Sequence, residues 1–138
     1  MADHAFDLVV LGAGSGGYSA AIRAVELGMT VALIEKSKVG GTCLHVGCIP
    51  TKAMLHAAEV ADSAKEAHEC GIQATFNGVD IDGVNAFREN IIAKKYKGLQ
   101  GLIKARGITL VEGEGRLNSA NTVTVNGDNY VGKNVVLA

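Results

Sequence analysis

The 138-residue sequence predicts an α/β fold with a parallel sheet, helices and a small antiparallel β-meander. Three observations predict it. Short, almost wholly apolar runs at 6–12, 30–35 and 134–138 have the composition of strands covered on both faces, as parallel sheets require. Stretches with helical spacing separate the first two runs and follow the second. Short β segments joined by turn residues fill the region from 108 to 131.

Each element has its own justification. The run "FDLVVLG" (6–12) ends in glycine, and residues 15–28 follow with Ala20, Ala21, Ala24, Val25 and Leu27 on one side and Gly28 suited to the stop. "TVALIE" (30–35) closes a strand–helix–strand unit of about 30 residues. Residues 50–71 read as a long amphipathic helix ending at Gly71. Proline is tolerated only near a helix start, so Pro50 sets the preceding segment apart as a separate or distorted turn. Asp82 is the expected cap of another helix running to about Ala105, closed by Gly107. Segments 108–117, 122–125 and 129–131 follow, the last two joined across Asn126-Gly127, a hairpin signal. The final run, 134–138, is apolar with no turn after it, which leads us to expect a piece of a longer protein.

Composition narrows the function. Hydrophobic residues make up 48% and charged residues 20%, enough for a core and against disorder. A net charge of −1 leaves no footprint for nucleic acid or an anionic membrane. The start "MADHAF" lacks the pattern of a signal peptide, and no apolar stretch approaches a membrane span. With three cysteines and no export signal, a cytoplasmic location is expected.

Gly12-Ala13-Gly14-Ser15-Gly16-Gly17 matches G-x-G-x-x-G. Gly12 makes the turn, Gly14 lets the backbone approach a pyrophosphate, and Gly17 lets the helix pack on the sheet. The helix N-terminus then faces the phosphates. Such a pattern alone is weak. Here it follows a strand, opens a helix and precedes Glu35, at the distance expected for an acid gripping ribose hydroxyls and repelling a 2′-phosphate. The motif does not distinguish NAD from FAD. A packing turn with a solvated glutamate is the plainer alternative.

"GGTCLHVGCIP" (40–50) places Cys43 and Cys48 close together. Zinc needs about four suitably spaced ligands, and His4, His45, His56 and His68 form no second pair. A structural bridge over so short a loop would constrain little. A redox couple fits better, with thiolate favoured at a helix start and Lys52 adding positive charge nearby. Cys70 is expected to be half-buried and structural, His45 is a possible influence on the thiols, and the basic run 93–106 is expected to be a solvated helix face.

"GGTCLHVGCIPTKAML" resembles the active-site segment of the FAD-dependent pyridine nucleotide-disulfide oxidoreductases, class I, and leans toward their dihydrolipoamide-oxidising branch through Leu44, Ile49 and Thr51. The similarity spans the glycine loop, Glu35, the cysteine segment, the "GEG" ending at Gly115 and the terminal "VVLA". It implies a Rossmann-like FAD-binding domain, with residues 1–138 its N-terminal part and the NAD-binding and dimerisation domains outside the chain. It implies FAD as cofactor: Gly12, Gly14 and Gly17 at the pyrophosphate, Glu35 at the ribose, with Lys36 beside it, Gly41, Thr42 and Cys43 along the cofactor, Lys52 near the flavin, and Gly115 and Ala138 completing the site. Cys48 would be the flavin-side thiol and Cys43 the outer, exchanging one, joined in a reversible disulfide. NAD would be co-substrate, and the partners would be dihydrolipoamide on lipoyl domains of 2-oxo acid dehydrogenase complexes and a second subunit.

The sequence also departs from the family. It has no second G-x-G-x-x-G and no histidine followed five positions later by glutamate, the family's catalytic base pair. The expectation is that these residues alone do not turn over. Another disulfide reductase of the same build, acting on glutathione or mercuric ion, and a non-catalytic nucleotide-binding module are the competing readings.

Overall fold

A computed structural model describes residues 2–138. In chain order the elements are β1 (Asp3–Leu11), α1 (Ser15–Glu26), β2 (Val31–Glu35), α2 (Gly41–His45), α3 (Cys48–Glu66), a 3₁₀ turn (Ala67–Cys70), α4 (Ile81–Ala105), β3 (Thr109–Glu112), β4 (Arg116–Ser119), β5 (Thr122–Val125) and β6 (Asp128–Leu137). One six-stranded sheet runs β3-β2-β1-β6-β5-β4. The first four strands in that order are parallel, and β6-β5-β4 pair antiparallel. The Rossmann-like α/β fold is therefore the observed one.

The sheet's two faces follow from strand alternation. Leu8, Val10, Val31 and Leu33 join Ala21 and Ala24 of α1 and Ile103 of α4 in one core. Val9, Ala32 and Ile34 join Val123 and Val125 of β5 in the other. Val9, Val10, Leu33 and Ile34 have no exposed surface, so the strands nearest the glycine loop are fixed from both sides. Truncating such a side chain typically costs about 2–5 kcal/mol.

Several boundaries differ from expectation, each for a local reason. The expected strands 129–131 and 134–138 are one, β6, because its whole length pairs with β1 while its first half also pairs with β5. The meander is thus a continuation of the main sheet. The expected segment 108–117 divides into β3 and β4 where Gly113 adopts φ 153°. Helix α4 is capped by Asp80, whose carboxylate accepts from the Asp82 N–H at 3.1 Å. Asp82 lies in the first turn, where its charge meets the helix dipole. Helix α3 begins at Cys48, so Pro50 is its third residue; its missing N–H belongs to the four that a helix start leaves unpaired. The predicted break falls at Val46 and Gly47, between α2 and α3. The hairpin residues Asn126 and Gly127 take φ 51° and 91°, the pair of positive values that a type I′ turn requires.

Midway along β1, Asp7 links that strand to the residue preceding β2 and to β6. Its carboxylate accepts from the Thr30 N–H and hydroxyl, each at 2.8 Å, and pairs with Lys133 at 2.7 Å. The Lys133 ammonium, followed by the Thr30 donors, holds the Asp7 carboxyl well below the usual carboxylate range. A depressed folded-state pKa stabilises above the unfolded value, about 3.9, and the contribution is lost as pH falls below it. Asp7→Asn is expected to lower the urea midpoint at pH 7, with the deficit shrinking as pH is taken below about 4. Urea titrations of both proteins across that range check this.

Candidate functional site

The site is built at the carboxyl ends of β1 and β2, where open α/β sheets place their ligand crevice. The chain leaves β1 through Gly12 at φ 102°, which L side chains rarely adopt. A Cβ there would also collide with the Ala138 carbonyl oxygen, and one on Gly17 with the Gly12 carbonyl. Gly14 is different: its Cβ position meets nothing within 4 Å. Gly12 and Gly17 are thus demanded by the fold, while Gly14 leaves room on the cleft side.

Glu35, at the end of β2, is not a loose surface acid. One carboxylate oxygen accepts from the Ala13 N–H and the other from the Ser37 N–H, both at 2.9 Å. The carboxylate ties the glycine loop to β2, and each oxygen keeps a lone pair for a hydroxyl donor. Gly12, Gly14, Glu35, Lys36, Gly115 and Ala138 line one cleft of about 310 Å³, together with Leu11, Ile34, Gly113 and Glu114. Six of the sequence-predicted residues therefore meet in one place. Gly17 lies behind the loop. The lining residues missed by the sequence reading come from the strand ends and from "GEG", whose glycine-bounded acid was the available signal. Backbone donors, an open Gly14 and an anchored carboxylate fit a dinucleotide's phosphates and ribose.

The cysteine segment abuts this cleft. The Gly40 N–H donates to the Ala13 carbonyl at 2.8 Å. A Cβ on Gly41 would lie 2.8 Å from Gly14 Cα, so α2 starts in backbone contact with the glycine loop. Gly41 and Thr42 line an adjoining hollow with Glu35, Ser37 and Lys38. Cys43 faces a different hollow, with Tyr18, Gly40, Leu44 and Ile49 on one side and Lys95, Leu99 and Leu102 of α4 on the other. Cys48 is exposed at the first position of α3. Gly47 lets the two helices close up, since a Cβ there would lie 2.9 Å from the Thr42 carbonyl oxygen and 3.3 Å from Cys43 Cα.

Cys43 and Cys48 are free thiols in contact. The hydrogen bond to the Cys48 sulfur pushes the Cys43 thiol above its ordinary range, with burial and the Cys48 charge adding to it. The Cys48 N–H and Lys52 oppose the shift without reversing it. At Cys43 the expected thiolate-favouring environment is thus overturned: two close thiols share protons, and the shared proton outweighs the helix start and the lysine. Lys52 is exposed on α3 and acts here through its charge.

The remaining candidates lie elsewhere. The His45 ring does not turn to the thiols; Nε2 meets the Val39 carbonyl at 2.9 Å, and the ring stands edge-on to Tyr96. Cys70 is exposed rather than half-buried, because the chain tightens into the 3₁₀ turn beyond α3. His56 is exposed beside Glu59, and His4 stacks on Tyr130. Among the described residues no group of three or more His, Cys, Asp or Glu could hold a metal ion, and no helix is long and apolar enough to cross a membrane.

Comparison with known proteins agrees with this geometry. A family model described as pyridine nucleotide-disulphide oxidoreductase matches residues 6–138. The chain is similar to the dihydrolipoyl dehydrogenase of Thermus scotoductus, 41% identical over 133 residues, covering 96% of this chain and 29% of that protein. Its similarity to the Geobacillus stearothermophilus dihydrolipoyl dehydrogenase is 42% over 136 residues, covering 96% and 29%. For that of Vibrio cholerae it is 45% over 130 residues, covering 94% and 27%. The chain thus spans less than a third of the length of these curated relatives.

Two outcomes test the site. Gly14→Ala is expected to leave the melting temperature nearly unchanged and to weaken dinucleotide binding by about tenfold or more, ~1.4 kcal/mol; calorimetric titration beside a thermal melt separates the two. Alkylation of Cys43 by iodoacetamide is expected to rise with a midpoint above the ordinary thiol value of about 8.5. In Cys48→Ala that midpoint falls, as peptide mapping across a pH series would register.

Proposed function

The chain belongs to the pyridine nucleotide-disulphide oxidoreductases, and on that premise we propose that it forms the N-terminal, dinucleotide-binding and thiol-bearing part of a dihydrolipoyl dehydrogenase. The family implies FAD as the cofactor and NAD as the co-substrate. Backbone N–H groups around Gly12, Gly14 and Gly17 would hold the pyrophosphate, Glu35 the ribose hydroxyls, and Gly115 the adenine edge. Lys36 and Ala138 line the same cleft, Gly41 and Thr42 line the hollow beside it, and Lys52 would stand on the flavin side.

The observation that carries the reading is the contact of Cys43 with Cys48 on a segment whose own start touches the dinucleotide loop. In the oxidised protein Cys43 and Cys48 share a disulfide. A substrate thiolate attacks the Cys43 sulfur, the bond to Cys48 breaks, and Cys48 leaves as thiolate. The second substrate thiol then displaces Cys43, releasing a cyclic disulfide and leaving a dithiol on the protein. FAD, when bound, supplies a two-electron acceptor for that dithiol and a donor for NAD. The substrate proposed is dihydrolipoamide carried on lipoyl domains of 2-oxo acid dehydrogenase complexes, in a cytoplasmic homodimer. Because these 138 residues carry neither a second glycine loop nor a His–Glu pair, they are proposed not to turn over alone.

NAD-linked oxidation of dihydrolipoamide by the full-length protein tests this. Cys43→Ser and Cys48→Ser are each expected to lower kcat by about 10³-fold or more while FAD is retained. Turnover surviving both substitutions, or an absence of dihydrolipoamide oxidation alongside reduction of glutathione disulfide or mercuric ion by a reduced nicotinamide nucleotide, would overturn the assignment.

A further inference from the structure

Cys43 rides on a helix too short to hold itself. Helix α2 has five residues, and at its two caps the Leu44 N–H donates to the Gly40 carbonyl at 3.4 Å and the Val46 N–H to the Thr42 carbonyl at 3.0 Å. Helix nucleation is unfavourable, so a single turn persists only where tertiary contacts fix it. Gly40 and Gly41 supply such contacts against Ala13 and Gly14 of the glycine loop, and the Leu44 side chain is buried. His45 adds two more. Its Nε2–H donates to the Val39 carbonyl at 2.9 Å, since a carbonyl can only accept. Its ring meets Tyr96 of α4 at 5.0 Å between centroids and 77° between planes, the edge-to-face geometry that aromatic pairs favour. Tyr96 is itself half-buried against the core beneath α1.

We propose that His45 and Tyr96 are a positioning pair, which pins α2 to the β2–α2 loop and to α4 and so holds the Cys43 sulfur against Cys48. The pair touches no reacting atom. It acts by keeping two thiols at a high effective concentration, and closure of a disulfide depends directly on that concentration. The inference rests on the reading of Cys43 and Cys48 as a dithiol–disulfide couple.

The couple's equilibrium constant is the readout. The full-length protein is equilibrated in glutathione redox buffers, acid-trapped, and the Cys43–Cys48 disulfide quantified by mass spectrometry. Oxidation forms the sulfur–sulfur bond and releases two protons; the two electrons pass to oxidised glutathione, which becomes two thiols. His45→Ala and Tyr96→Leu are each expected to shift the equilibrium toward the dithiol by about three- to tenfold, and the double variant no further than either one. Tyr96→Phe keeps the ring and stays with the wild type. Should His45→Ala fail to fold, His45→Gln, which keeps an N–H donor but not the ring, carries the test with a smaller shift in the same direction. Unchanged constants, or shifts that simply add in the double variant, would overturn the pair while leaving the couple intact. A wild type that forms no Cys43–Cys48 disulfide at any buffer ratio would overturn both.

Discussion

The whole site depends on backbone meeting backbone where side chains are missing. Gly17 lies against the Gly12 carbonyl, Gly12 against Ala138, and Gly41 against Gly14. Each of these approaches excludes a single methyl group, and together they bring the ends of β1, β6 and α1 and the start of α2 to one point. Glu35 then fixes that point to β2 through the Ala13 N–H. The result is a surface of N–H groups beside the anchored Glu35 carboxylate, which is what a diphosphate joined to a ribose requires of a protein. Side-chain packing elsewhere, such as the closed core of Val9, Val10, Leu33 and Ile34, keeps these segments from separating.

The thiols depend on the same constraint at one remove. Gly40 and Gly41 anchor α2 to the glycine loop, and Gly47 lets α3 begin close beside it. Cys43 and Cys48 therefore meet although they lie on different helices, an arrangement a continuous helix would forbid. The hydrogen bond to the Cys48 sulfur raises the Cys43 thiol above its ordinary range, with burial and the Cys48 charge adding to it.

Much of this was legible in the residues, and the illegible part has physical causes. The strand–loop–helix order, Glu35 and the cysteine pair each combine a residue type with a local spacing, and local geometry then determines their roles. Boundaries that tertiary pairing decides were not legible. Nothing local in 128–137 says that one strand serves two neighbours, because its partner β1 is far away in sequence. Asp80 and Asp82 are equally good caps by type, and only the extended backbone at Asp80 decides between them. A helix start and a lysine are visible in sequence and point to a lowered Cys43 pKa, whereas the hydrogen bond to Cys48 that raises it depends on how two helices meet. His45 lies between the cysteines in sequence, yet its ring engages Val39 and Tyr96.

The pairing of β6 with β1 has a consequence for biosynthesis. The strand that leads into the glycine loop acquires its second neighbour only from residues 129–137, and the loop itself rests on Ala138. Contacts so distant along the chain form late. A nascent polypeptide leaving the ribosome therefore exposes one bare edge of β1 until residues 129–138 emerge, and during that interval it has no finished cradle with which to capture a nucleotide.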